Sequence, residues 1–161
     1  MTLTPKALQV RFAGIATVEQ ALDSGSECLA ALAERFDMKK VATLIKIQLV
    51  ELNELLNLRR PLSETAIELI ADEIMQTYKA LTIADVYLIF RRARNGEYGE
   101  LYESLNMPKV MTWFREYFDE RCEIASSRSV EEAGKYKSYG GQRISEATDL
   151  KTFIRKHKQI Q

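Results

Sequence analysis

Residues Leu81 to Leu105 read LTIADVYLIFRRARNGEYGELYESL, and this stretch decides the fold. Between Ile83 and Phe90 the only charge is Asp85, while Ile83, Val86, Tyr87 and Phe90 recur at i, i+3, i+4 and i+7. Leu88 and Ile89 widen the apolar surface beyond one stripe, and a helix apolar on most sides has to be surrounded. Thr82 suits the N-cap and sets Asp85 at N3, near the positive helix end. Asn95-Gly96 supplies residues that tolerate the left-handed conformation ending many helices. The stretch thus predicts a buried central helix over about 82–94, a glycine stop and an aromatic-rich connector.

The flanks look built to cover that helix. Upstream, Met38 to Leu56 holds Val41, Leu44, Ile45, Leu49, Leu52, Leu55 and Leu56 at helical spacing, with Lys39, Lys40, Lys46, Glu51 and Glu54 toward water and Asp37 able to cap. Pro61 disfavours helix at Arg60, and Ser63 can cap Glu64 to Lys79, which turns Ile67, Ile70, Ile74 and Tyr78 inward. Further upstream, Thr17 to Leu22 makes a turn and a half that stops near Ser24-Gly25-Ser26, and Ser26 is placed to cap ECLAALAERF. Downstream, Pro108 fits the first turn of a helix over Lys109 to about Ala125, with Val110, Phe114, Tyr117 and Phe118 on one side.

The ends read differently. Residues 1–16, broken by Thr4-Pro5 and Gly14, are expected to form a loosely held N-terminal arm, irregular or with one short helix. From residue 127 to 161 the chain turns rich in Ser, Gly and Tyr, a linker or an arm ordered on binding, with room for one short terminal helix over TDLKTFIRKHK. No alternation long enough for a strand persists. The expected architecture is therefore all-α: a compact bundle of about five helices over residues 17–126 with two arms.

Composition narrows the function. Over 161 residues, 23 Lys and Arg balance 23 Asp and Glu, so no global charge favours nucleic acid. The distribution is uneven, since residues 127–161 hold eight Lys or Arg against four acids, leaving 15 against 19 in the body. Cys28 and Cys122 are far apart and form no CxxC, which suggests neither zinc nor a disulfide framework. With no signal-like start and no apolar run long enough to span, a cytoplasmic protein without membrane contact is expected.

Little here resembles catalytic machinery. His157, the only histidine, has no cysteine or carboxylate partner in sequence, no phosphate-loop motif occurs, and no cofactor, metal or small-molecule substrate is implied. The acidic pairs and clusters, among them Glu51/Glu54 and Glu116/Asp119/Glu120/Glu123, have the spacing of solvated helix faces. What remains is cationic and aromatic: Arg91, Arg92, Arg94, Tyr98, Tyr102, Lys109, Trp113 and Arg115, then Lys135, Tyr136, Lys137, Tyr139 and Arg143 in the tail. Guanidinium groups beside rings are the ingredients of single-stranded nucleic-acid binding, where bases stack and phosphates are neutralised. The same residues serve equally as dipole-matched helix ends and as core rings with wet tips.

Over about residues 40 to 125 the order of features resembles uncharacterised all-helical proteins of phages and integrative elements from Bacteroidetes-type hosts. It is carried by Leu52-Asn53-Glu54-Leu55-Leu56, Ile74 with Tyr78, Leu81-Thr82-Ile83-Ala84-Asp85, Phe90, Gly96-Glu97-Tyr98-Gly99, Tyr102, Trp113, Tyr117 and Glu120-Arg121. The pattern also looks loosely like the helical domains of phage replisome organisers and helicase loaders, in which a helix ends in Tyr-x-x-x-Arg, as Tyr117 to Arg121 does here. That resemblance implies a non-enzymatic adaptor in DNA replication, with a protein partner such as a replicative helicase and contact with single-stranded DNA. The alternative is a protein-only adaptor or regulator.

Overall fold

The central helix is α6, Ile83–Arg94, and every residue from Leu81 to Phe90 is buried. The computed structural model describes residues 4–56, 58–99 and 104–157, with side chains described as far as residue 135. Around α6 lie α1 (Pro5–Phe12), α2 (Val18–Asp23), α3 (Leu29–Phe36), α4 (Met38–Leu56), α5 (Glu64–Thr77) and the start of α7 (Met107–His157). The chain is all-α: its described residues form helices joined by short connections, with isolated bridges such as Cys28 with Thr82 instead of strands. It divides into two units, Met1–Arg121 and Cys122–Gln161.

Both ends of α6 follow from local chemistry. Thr82 accepts the N–H of Asp85 while Asp85 accepts the N–H of Thr82, a reciprocal cap that satisfies two donors the helix leaves open. At the other end Gly96 takes φ 76°, and paired bonds close the turn, from Glu97 N to the Arg92 carbonyl and from Gly96 N to the Ala93 carbonyl. The stop expected at Gly96 is therefore in place.

The first unit packs in a shell. Helices α1, α2 and α4 pack directly on α6, and α3 and α5 pack on α4. Val41, Ile45, Leu49 and Leu52 of α4 are wholly buried, as are Ile70, Ala71 and Ile74 of α5. From α7 the Phe114 ring meets Phe90 edge-on at 5.9 Å and Tyr78 at 5.7 Å. Asn53 holds the connector before α5 by donating to the Leu62 carbonyl and accepting the Leu62 N–H.

Four expectations need correction. The N-terminal arm is not loosely held: Leu8, Phe12 and Ile15 are buried, and Tyr87 of α6 donates its hydroxyl to the Pro5 carbonyl. Ser26 does not cap α3, whose N-cap is Cys28. The open donors at that helix start are taken by distant carbonyls, Leu29 N by Leu81 and Ala30 N by Lys79, a tertiary solution no local motif announces. Leu55 is 65% exposed, so the apolar face of α4 ends at Leu52.

The tail, finally, is no linker, because α7 continues as helix to His157. Ser and Gly lower helix propensity by up to about 1 kcal/mol each, yet they do not remove a donor as proline does. No proline follows Pro108, and Glu131 with Lys135 adds an i, i+4 pair of favourable order.

Candidate functional site

The sequence points to the end of α6, the Gly96–Gly99 connector and the start of α7, and these do converge. Three arginines occupy the last turn of α6, where the negative end of the helix dipole favours them. Each then reaches a different acceptor inside the fold. Arg91 Nη1 donates to the carbonyls of Ala13 and Ile15, at 3.0 and 2.7 Å, and so holds the segment after α1. Arg94 donates to Gln48 Oε1 at 3.3 Å, and Gln48 is itself buried in α4.

Arg92 forms a two-pronged pair with Glu120 of α7, its Nη2 lying 3.1 Å from Oε1 and its Nη1 bonding Oε2. Its Nε lies 3.5 Å from Glu97 Oε2, too long for a well-aligned hydrogen bond, and its guanidinium sits 5.4 Å over the Tyr117 ring. The bond to Glu120 raises the Arg92 pKa further, against the opposing effect of burial. A two-pronged arginine–carboxylate pair is among the strongest side-chain contacts available, and this one ties α6 to α7.

Tyr98 stacks on Trp113, the ring centroids 5.7 Å apart and the planes 16° from parallel. Burial pushes the Tyr98 hydroxyl up to about 12, with Arg92 partly opposing the shift. Trp113 is only 3% exposed, so it has no free face to offer. Beside it a groove of about 360 Å³ is lined by Tyr98, Asn106, Lys109, Thr112 and Glu116. Lys109 donates to the Ser104 carbonyl at 3.0 Å, and Arg115 is exposed on the same helix.

The remaining sequence candidates do not join this group. Tyr102 lies outside the described residues, Lys135 is exposed in the second unit, and Tyr136, Lys137, Tyr139 and Arg143 fall on α7 with side chains outside the described residues.

Sequence reasoning missed the polar centre beneath. Asp85 has no exposed surface, yet it takes the backbone N–H and hydroxyl of Thr82 at 2.7 and 2.9 Å, the Tyr117 hydroxyl at 2.7 Å and Arg121 Nε at 3.0 Å. Burial, then the Asp85 charge, raises the Tyr117 pKa, which keeps its hydroxyl a donor. A buried carboxylate this well supplied with donors is held, not poised to react, because it has no exposed surface to turn toward a substrate. A signal existed: Asp85 is the only charge between Ile83 and Phe90, the apolar part of α6, and a charge there must find partners. Tyr117 and Arg121, spaced by four on α7, are what it finds.

Among the described residues no group of three or more His, Cys, Asp or Glu converges to hold a metal ion, and no helix is long and apolar enough to cross a membrane. Compared with family models, with curated proteins and with solved structures, the chain finds no match in any of the three, so its function is read from its own side chains.

Proposed function

We propose that the protein is a non-enzymatic adaptor that acts by binding a protein partner. The observation that most supports this reading is the engagement of Arg91, Arg92 and Arg94 with acceptors inside the fold. Neutralising a phosphate backbone takes a run of available cations, and these three are committed to ties within the fold. Trp113, the ring best suited to stack on a base, is covered by Tyr98 and its own helix surroundings. The groove beside it has an aromatic wall with Lys109 and Glu116 on its lining, a mixture of signs that suits a peptide better than a polyanion. A phage or mobile-element setting, with a replicative helicase as the partner, is the role the resemblance implies, and an adaptor of this kind fits it.

A second reading keeps single-stranded DNA as a ligand, favoured by the excess of Lys and Arg over acids in residues 127–161. Titration of a fluorescein-labelled oligothymidine at two salt concentrations separates the two. The adaptor reading expects no salt-dependent binding by the full chain. Binding whose log-log salt slope is about −0.7 per phosphate contact overturns it. Loss of that slope in Lys135→Glu/Lys137→Glu/Arg143→Glu then assigns the DNA to the tail, and its persistence assigns it to the body.

A further inference from the structure

A second surface, along α4, carries the partner's chemistry further. Helices α1 and α4 both pack on α6, and two openings lie along the seam between them. One, of about 250 Å³, is lined by Pro5, Phe36, Lys40, Thr43, Leu44 and Ile47. The other, of about 450 Å³, is lined by Gln9, Glu51, Glu54, Leu55 and Arg94. On α1, Pro5 and Gln9 are one turn apart. On α4, residues 40, 43, 44, 47, 51, 54 and 55 form a single stripe at i, i+3/i+4, i+7, i+11 and i+14/i+15. The two openings are therefore successive stations of one groove, which follows α4 for about 22 Å at 1.5 Å per residue.

Its lining changes character along that length. At the first station Pro5, Phe36 and Ile47 are half-buried, an apolar floor with Lys40 exposed at the far edge. At the second station stand two carboxylates, Glu51 and Glu54, beside Leu55, which is 65% exposed. Arg94, the cation there, is turned to Gln48. Val50, one turn before Glu54, adds a further exposed aliphatic side chain at 43%. An exposed leucine and valine next to two carboxylates, of which Glu51 accepts only the neutral Gln48 amide at 3.2 Å, are good groups to offer a partner of matching pattern.

We propose that this groove is a docking site for an amphipathic helix of a partner protein, apolar where it meets Phe36 and Ile47 and basic where it meets Glu51 and Glu54. The length accommodates about four helical turns, the usual span of a helix laid in a groove with anchors at i, i+3/i+4 and i+7. Charge fixes its direction, since Lys40 at one end and Glu51 and Glu54 at the other reject the reversed helix. This rests on the adaptor reading and names its partner by chemistry.

The probe is a labelled 16-residue model peptide with leucines at i, i+3, i+4 and i+7 and lysines confined to its C-terminal turn and a half, titrated by anisotropy against the full chain. Its controls replace the lysines by serines or by glutamates. The expected result is saturable binding that weakens as salt rises, with each control at least tenfold weaker. Glu54→Lys/Leu55→Ser and, at the other station, Thr43→Arg should each weaken binding at least tenfold while melting like the parent, because all three residues are exposed. No binding, or binding that these variants leave unchanged, overturns the groove assignment. If binding is instead lost in Lys109→Glu/Glu116→Lys, the adaptor reading survives at the Tyr98–Trp113 groove and only the present inference fails. Sedimentation of the chain alone closes the remaining route: self-association abolished by Glu54→Lys/Leu55→Ser makes a second copy the occupant and overturns the assignment to a different protein.

Discussion

The two ends of α6 bring charge into the core by opposite routes. At its start one carboxylate, Asp85, gathers donors from α6 itself and from Tyr117 and Arg121 of α7. At its end three guanidiniums disperse, Arg91 to the segment after α1, Arg92 to α7 and Arg94 to α4. The first is a knot in which every bond shares an atom or a neighbour with another. The second is a set of separate ties. A concentrated arrangement fails as a whole, whereas a dispersed one loses its parts singly.

Asp85→Ala should be the most damaging test of that contrast, costing about 3–5 kcal/mol in chemical denaturation, because it strands Arg121 and Tyr117 in the interior. In a double-mutant cycle Tyr117→Phe and Arg121→Met should couple by about 0.5–3 kcal/mol, while Arg91→Ala and Arg94→Ala should add within about 0.5 kcal/mol. Additive behaviour at Asp85, or strong coupling between the two arginines, would erase the distinction.

Gly96→Val should cost less, about 1–2 kcal/mol, since a branched side chain must be forced into positive φ while the space around it is open. An unchanged midpoint would mean that the turn is set by the arginine ties and not by its glycine.

The smallest effect expected is on pH. Burial lifts Tyr98 and Tyr87 to about 12, above the ordinary value of 10.0. The unfolded chain then loses those protons first, so stability is intact below pH 10 and falls as pH rises from 10 to 12. A thermal midpoint that is flat across this window in wild type, and identical to that of Tyr98→Phe, would place both hydroxyls in effectively aqueous surroundings.

Much of this is legible in the sequence alone. The bounds of α4 fall at Met38 and Leu56 as its periodicity requires, Ser63 caps α5 through Ala66 N, and Phe90 has no exposed surface. These features depend on neighbours within a few residues, which a sequence displays directly. Ser26 failed as a cap because the donors it would have served were already met from Lys79 and Leu81, some fifty residues away. The site was half legible for the same reason. Arg91, Arg92 and Arg94 stand out as cations, but the acceptors that occupy them lie from 28 to 78 positions along the chain. The tail misled through composition, since Ser and Gly lower the odds of helix without forbidding it.

The hold on α1 has a consequence for the order of assembly. Tyr87 and Arg91 reach back across 82 and 76 residues to the carbonyls of Pro5 and Ile15, so those bonds have nothing to close on until α6 is built. Both recognise main chain alone and are blind to the side chains at the positions they grip. Helix α1 should thus dock late and at the cost of a long loop, and on the native side its amides should exchange with solvent sooner than those of α6. Since α1 is also one wall of the groove along α4, the lifetime of that wall is the lifetime of a latch made from three hydrogen bonds and the burial of Leu8 and Phe12.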